Sequence, residues 1–266
     1  MAYARARRIC GALVLCGLVV AGCTDGGSGG EAEASADTST RDGTQSASSP
    51  TAATAPAKQP RTTDQARALI GKVIADPELF GPGVVRATPY ESDPGRWAVL
   101  GDSCAWQLRE LPADVLATLT RYFEVPAGDG KGSVRLSATV TVHRTALDAA
   151  WEQAGVLEEV LDCEEQLLRP GERLTGLSST AYAWGEGNNS YSDESLGETG
   201  LCVSDTRGGP YPYRWDQATL GPVVASTSVC GGRGREAAEL WPLVQEALAK
   251  MVVRAQAEIG RPKGGA

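Results

Sequence analysis

Histidine is nearly missing from this chain of 266 residues: His143 is the only one. That excludes metal centres built on several imidazoles and leaves a single candidate base for a Ser-His-Asp arrangement. Positive charge is also short. With 25 Lys+Arg against 33 Asp+Glu, the formal charge is −8, and the chain lacks the basic footprint that nucleic-acid binding needs. No CxxC pair and no EF-hand spacing occur, which removes the common redox, zinc and calcium motifs. What is present is ordinary globular material, 42% hydrophobic and 22% charged, for which no cofactor is expected.

The N-terminus carries an address. Arg5, Arg7 and Arg8 precede an apolar run of 13 residues, Ile9–Ala21. A membrane-spanning helix takes about 20 residues, so the run suits a signal-peptide core instead. It ends in Val20-Ala21-Gly22-Cys23, which resembles the lipobox of bacterial lipoproteins. The resemblance implies a signal peptide over 1–22, diacylglycerol on Cys23 and cleavage before it, with the domain held at the outer face of the cell membrane. Loss of the leader removes three arginines and no acids, leaving 22 basic against 33 acidic residues. Charge would then not hold the chain to anionic lipid, so the tether is the lipid anchor.

Residues 24–60 contain no Val, Ile, Leu, Met or aromatic residue, and 28 of these 37 are Ala, Gly, Ser, Thr or Pro. Nothing there offsets the entropy of ordering, so 23–60 reads as the lipidated cysteine and a disordered linker, roughly 35 Å in root-mean-square span. Residues 61–266 are one domain. Thr62 or Thr63 caps a helix with Leu69, Ile70, Val73 and Ile74 on its apolar face, ending near Pro77. Trp97–Leu100 is a strand. Leu116–Val125 and Ser133–His143 form a hairpin around a glycine-rich turn, with Val134, Leu136, Ala138, Val140 and Val142 on one face. Thr145 and Asp148 open a helix expected to pack through Leu147, Trp151, Ala154, Leu157 and Leu161. Further strands fit near 174–184 and 213–229. A last helix over about 235–259 buries Leu240, Val244, Leu248, Met251, Ala255 and Ile259, with Pro242 starting or kinking it. The class is α+β with an antiparallel sheet packed by helices.

Cys10 and Cys16 leave with the leader and Cys23 takes the lipid, so Cys104, Cys163, Cys202 and Cys230 remain. In an exported domain they are most simply two disulfides; of the three connectivities, sequence neighbours, Cys104–Cys163 and Cys202–Cys230, are expected.

With those cysteines placed, residues 98–260 resemble the extracellular sensor domain of actinobacterial PknH-type serine/threonine kinases and its free lipoprotein relatives. The matching pattern is a Cys after a first strand, an alternating strand leading to a Trp-containing helix and Cys163, then Gly200-Leu201-Cys202, a hydrophobic strand ending in Cys230, and a long terminal amphipathic helix. The order of elements carries the resemblance; no short string does. It implies an α+β fold, two disulfides and a cleft for an envelope ligand, without catalysis. Since the chain has no kinase domain, a sensing role would pass through a partner protein.

Several groups are candidates for chemistry. Tyr211, Tyr213 and Trp215 alternate, so a strand shows all three rings on one face, a platform for a ligand or part of the core; Tyr182 and Trp184 pose the same choice. Gly101-Asp102-Ser103 after a strand resembles the nucleophile block of GDS-type hydrolases, but the only base is His143, upstream of where that family has its histidine. The alternatives to a binding domain are therefore an accessory envelope protein without a small ligand and a serine hydrolase. Glu158, Glu159, Asp162, Glu164 and Glu165 crowd a helix end against its dipole, with Arg169 and Arg173 as the expected relief. Gly231-Gly232-Arg233-Gly234-Arg235, which is neither GxGxxG nor Walker, reads as a turn or an anion cradle. Residues 186–200 are polar and rich in Gly, Ser and Asn, and read as a lid or a disordered loop.

Overall fold

Alternation decides the sheet. Val134, Leu136, Ala138, Val140 and Val142 are each at most 2% exposed, while the residues between them point to the opposite face. They belong to β5 (Val134–His143), paired with β4 (Val115–Val125) as the expected hairpin. Asp129 and Gly130 in its turn both have positive φ, the backbone that two-residue hairpin turns require.

The computed structural model describes residues 59–260; the leader 1–22, Cys23 and the linker to residue 58 lie outside the described residues. The remaining elements are α1 (Thr63–Val73), α2 (Pro77–Phe80), β1 (Val85–Glu91), β2 (Arg96–Leu100), β3 (Trp106–Glu110), α3 (Ala146–Asp162), β6 (Gln166–Arg169), β7 (Glu172–Ala183), β8 (Glu194–Ser204), β9 (Gly208–Leu220), β10 (Val223–Cys230) and α4 (Ala237–Ile259). Eight strands form one curled antiparallel sheet in the order β1-β4-β5-β10-β9-β8-β7-β6, and β2 and β3 form a separate hairpin. The α+β class is as expected. The described residues belong to a single compact unit with its own core, the property of a segment that folds by itself. Among the described residues no helix is long and apolar enough to cross a membrane.

One face of the sheet carries the core. Thr62 caps α1, its hydroxyl accepting from the Gln65 N–H, and Ala66, Leu69, Ile70 and Val73 turn inward. Leu240, Val244, Leu248, Met251, Ala255 and Ile259 of α4 are all at most 4% exposed and join the same cluster. Lys72 of α1 meets Glu258 of α4 at 2.7 Å, so the first and last helices lie together. Pro242 sits inside α4, which begins earlier at Ala237.

The other face is polar, and α3 covers it. The Thr145–Asp148 capping box forms, yet the helix is turned the other way round from expectation. Ala149, Gln153 and Val160 are buried, whereas Leu147, Trp151 and Leu161 are exposed and Ala154 and Leu157 are half-buried. The reason lies beneath the helix, where His143 and Thr219 are buried polar residues of the sheet. Gln153 accepts from the Thr219 hydroxyl at 3.0 Å and Glu152 meets His143 Nε2 at 2.6 Å. A buried polar surface selects polar partners.

Both expected disulfides form. Cys202 on β8 lies opposite Tyr211 of β9, and Cys230 on β10 lies opposite Tyr213, so this bond reaches across the intervening strand. Second-neighbour strands of a flat sheet are about 9.5 Å apart; these two Cα atoms are 6.0 Å apart. The sheet is pinched at that point.

Sequence patterning missed β1, β3, β6 and β8. The stretch 186–200 is no disordered loop: residues from Glu194 onward are β8, hydrogen-bonded on one side to β7 and on the other to β9. The turn before it is built by Asn189, whose side chain donates to the Tyr182 carbonyl and accepts from the backbone and hydroxyl of Ser192.

Candidate functional site

Where α4 ends its cover of the sheet, β7, β8 and β9 leave a cleft of about 560 Å³ on the core-side face. Its floor is three cross-strand rows. Ser178, Thr199 and Arg214 stand side by side, then Thr180, Gly197 and Asp216, then Tyr182 and Ser195. The two-residue repeat of β7 and β8 places these hydroxyls on one face. Asn188 and Tyr191 form one wall, and Gln245 and Leu248 of α4 the other.

The charges in this floor cancel. Arg214 donates from Nε and Nη2 to the two Asp216 oxygens, each at 2.7 Å, and its guanidinium stacks 5.0 Å from the Trp241 ring. Burial raises the Asp216 carboxyl and Arg214 opposes the rise. Gly197 makes room for the pair: a Cβ there would lie 3.1 Å from Asp216 Oδ1 and 3.4 Å from Arg214 Nη2. The remaining donors and acceptors are hydroxyls and amides. Tyr191 is anchored by Gln256, which donates to its carbonyl at 2.7 Å, and its phenol, hydrogen-bonded to Ser195, is raised by burial. Tyr182 packs against Gly187, where a Cβ would come within 2.7 Å of the ring and φ is +55°, so only glycine closes this turn.

Of the five aromatic candidates, Tyr182 lines the cleft and Trp184 stands half-exposed just beyond it. Tyr211, Tyr213 and Trp215 share one face of β9 as expected, but it is the opposite face. Neither Tyr213 nor Trp215 lines a cavity described here. Tyr213 hydrogen-bonds the buried Glu198, which faces the half-buried Glu159 of α3; burial pushes both up to about 7, and the Glu198 and Glu152 charges add to the shift of Glu159. Tyr211 lines a smaller cavity of about 280 Å³ with Arg207 and Arg233. Arg207 there is a tie, donating to the carbonyls of Ser133 and Gly231, while Arg235 pairs with Glu239; the 231–235 stretch is mainly a turn.

His143 is 1% exposed and its Nε2 is engaged by Glu152, while Ser103 is exposed in the turn before Cys104; the two are not hydrogen-bonded. Arg169 serves Glu172, not the acidic end of α3, and Arg173 forms no ion pair with a described residue. Among the described residues no cluster of three or more His, Cys, Asp or Glu is arranged to hold a metal ion.

Sequence reading missed Ser178, Thr180, Thr199, Arg214 and Asp216. The available signal was the Ser178-x-Thr180-x-Tyr182 alternation, a strand face of hydroxyls ending in a ring. Compared with known proteins, the chain matches no family model and no curated protein.

Proposed function

We propose that this chain is a lipoprotein anchored through Cys23 at the outer face of the cell membrane, and that its domain is a non-catalytic, sensor-like module binding an uncharged, polyhydroxylated envelope ligand of saccharide type. The cleft floor carries the reading. Hydroxyls in register on β7 and β8, amides and the Tyr191 phenol on the walls, and a self-neutralised Arg214–Asp216 pair suit a neutral ligand rich in hydroxyl groups. Among the described residues Asp216 is the only carboxylate lining the cleft, and both its oxygens accept from Arg214. Glycoside cleavage needs two carboxyl groups facing the bond, so binding is supported over hydrolysis. His143, held by Glu152, supports the same choice against a serine hydrolase.

Native and denaturing mass spectra of residues 52–266, exported by a lipoprotein-making host, test the binding. Extra mass in the native spectrum alone is expected, and Thr180→Val with Tyr182→Ala should remove it. A bare native mass, together with no binding to an array of envelope saccharides, would overturn the ligand reading. Anchoring is tested separately: Cys23→Ala should move the full chain from the membrane fraction to the soluble one, and retention at wild-type level refutes the lipid tether.

A further inference from the structure

Helix α3 shows water the side chains that gain most from leaving it. Leu147, Trp151 and Leu161 are 66%, 67% and 83% exposed. At 100° per residue they fall within a stripe about 80° wide on the side away from the sheet. The inward side is spent on Glu152, Gln153 and Glu159. The polar sheet beneath accounts for the inward half, but nothing in the fold is gained by leaving the outward half in water, and an exposed apolar stripe with a polar rim is the mark of a surface that meets a second body.

Charge says what kind of body. Glu158 lies within the stripe and Asp162 at its edge, Glu164 and Glu165 follow it, and all four are exposed. None is in an ion pair with a described residue. A second copy would set four more carboxylates against these four, and an anionic lipid surface would be repelled in the same way. We propose that the outward stripe of α3 is the docking surface for a basic amphipathic segment of a partner protein. The segment's apolar side chains cover Leu147, Trp151 and Leu161, and its Lys and Arg residues meet Glu158, Asp162, Glu164 and Glu165. Trp151 is the anchor, as large aromatic side chains are at interfaces. This surface is on the opposite face of the sheet from the cleft and does not depend on what the cleft binds.

The probe is a labelled, helical peptide of leucine and lysine, 18 residues long, titrated by fluorescence anisotropy into residues 52–266 at about 0.15 M salt. The expected result is saturable binding that weakens at least tenfold in Trp151→Ser with Leu161→Ser, and again in Glu158→Lys with Asp162→Lys. A matching peptide with glutamate for lysine should not bind. These positions are exposed, so the variants should melt as the native protein does, which circular dichroism checks. Failure of the lysine peptide to bind, equal binding by the variants, or equal binding of the glutamate peptide overturns the proposal. So does self-association in sedimentation, or binding to phosphatidylglycerol vesicles, that is lost with Trp151→Ser.

Discussion

Replacing Cys202 and Cys230 together by alanine is expected to lower stability by about 4 kcal/mol, the chain-entropy value for a loop of this length. For a domain of this size that is a fall of roughly 8–16 °C in melting temperature. Cys202 is 2% exposed and the two residues are 28 apart in sequence. The bond does more than close a loop, because it draws β8 and β10 together across β9. Without it the strands are free to relax toward second-neighbour spacing, and amide exchange should accelerate first around Leu201–Tyr213, at the pinched end of the sheet. Differential scanning calorimetry and hydrogen exchange make the measurement. A double variant that melts within 2 °C of the native domain would refute this role for the bond.

Raising the pH from 5 to 9 is expected to destabilise the domain, most steeply between the ordinary value of 4.5 and the folded value of about 7. Glu159 and Glu198 lose their protons at about 7 in the folded chain, against 4.5 ordinarily. Between those values the folded state holds more protons than the unfolded one, so stability falls as pH rises. Their contribution is whole below pH 4.5 and has gone once pH passes about 7. For Glu198, which is 5% exposed, the shift corresponds to as much as about 3 kcal/mol; Glu159 adds less because it keeps contact with water. Glu198→Gln removes the charge and retains an acceptor for the Tyr213 and Ser179 hydroxyls. It should flatten the slope and raise the melting temperature at pH 9 by roughly 5–10 °C. An unchanged slope in that variant, or a flat profile in the native chain, would show that burial of this carboxylate is not the cause.

The parts of the fold legible in the sequence were those where a residue's own chemistry decides its surroundings. β5 faces an apolar helix layer, so its valines alternate cleanly, and α4 buries one unbroken stripe from Leu240 to Ile259. α3 had the right period and the wrong face, because the sheet beneath it presents His143 and Thr219, which take up Glu152 and Gln153 of the helix's polar side. β8 was unreadable for a related reason. Glu194, Gly197, Glu198 and Gly200 have little preference for strands, and only the hydrogen bonds of two neighbours make them one. The cleft needed the third dimension outright: Thr180, Gly197 and Asp216 come from three strands and adjoin only through register. Of the aromatic candidates, Tyr182 shared this face, while parity sent Tyr211, Tyr213 and Trp215 to the other.

The side-by-side placing of α1 and α4 has a consequence for the order of assembly. The apolar face of β4, β5 and β10 is roofed by the first helix and the last, and α4 supplies Val244, Leu248 and Met251 to its middle. A chain emerging from its N-terminus therefore carries an uncovered hydrophobic sheet until α4, which follows every strand, has appeared. Partial folding from the front end cannot hide that face, since α1 alone lacks the area. Burial of that face is expected to wait for α4, so a chain cut short before Ala237 should expose it and aggregate.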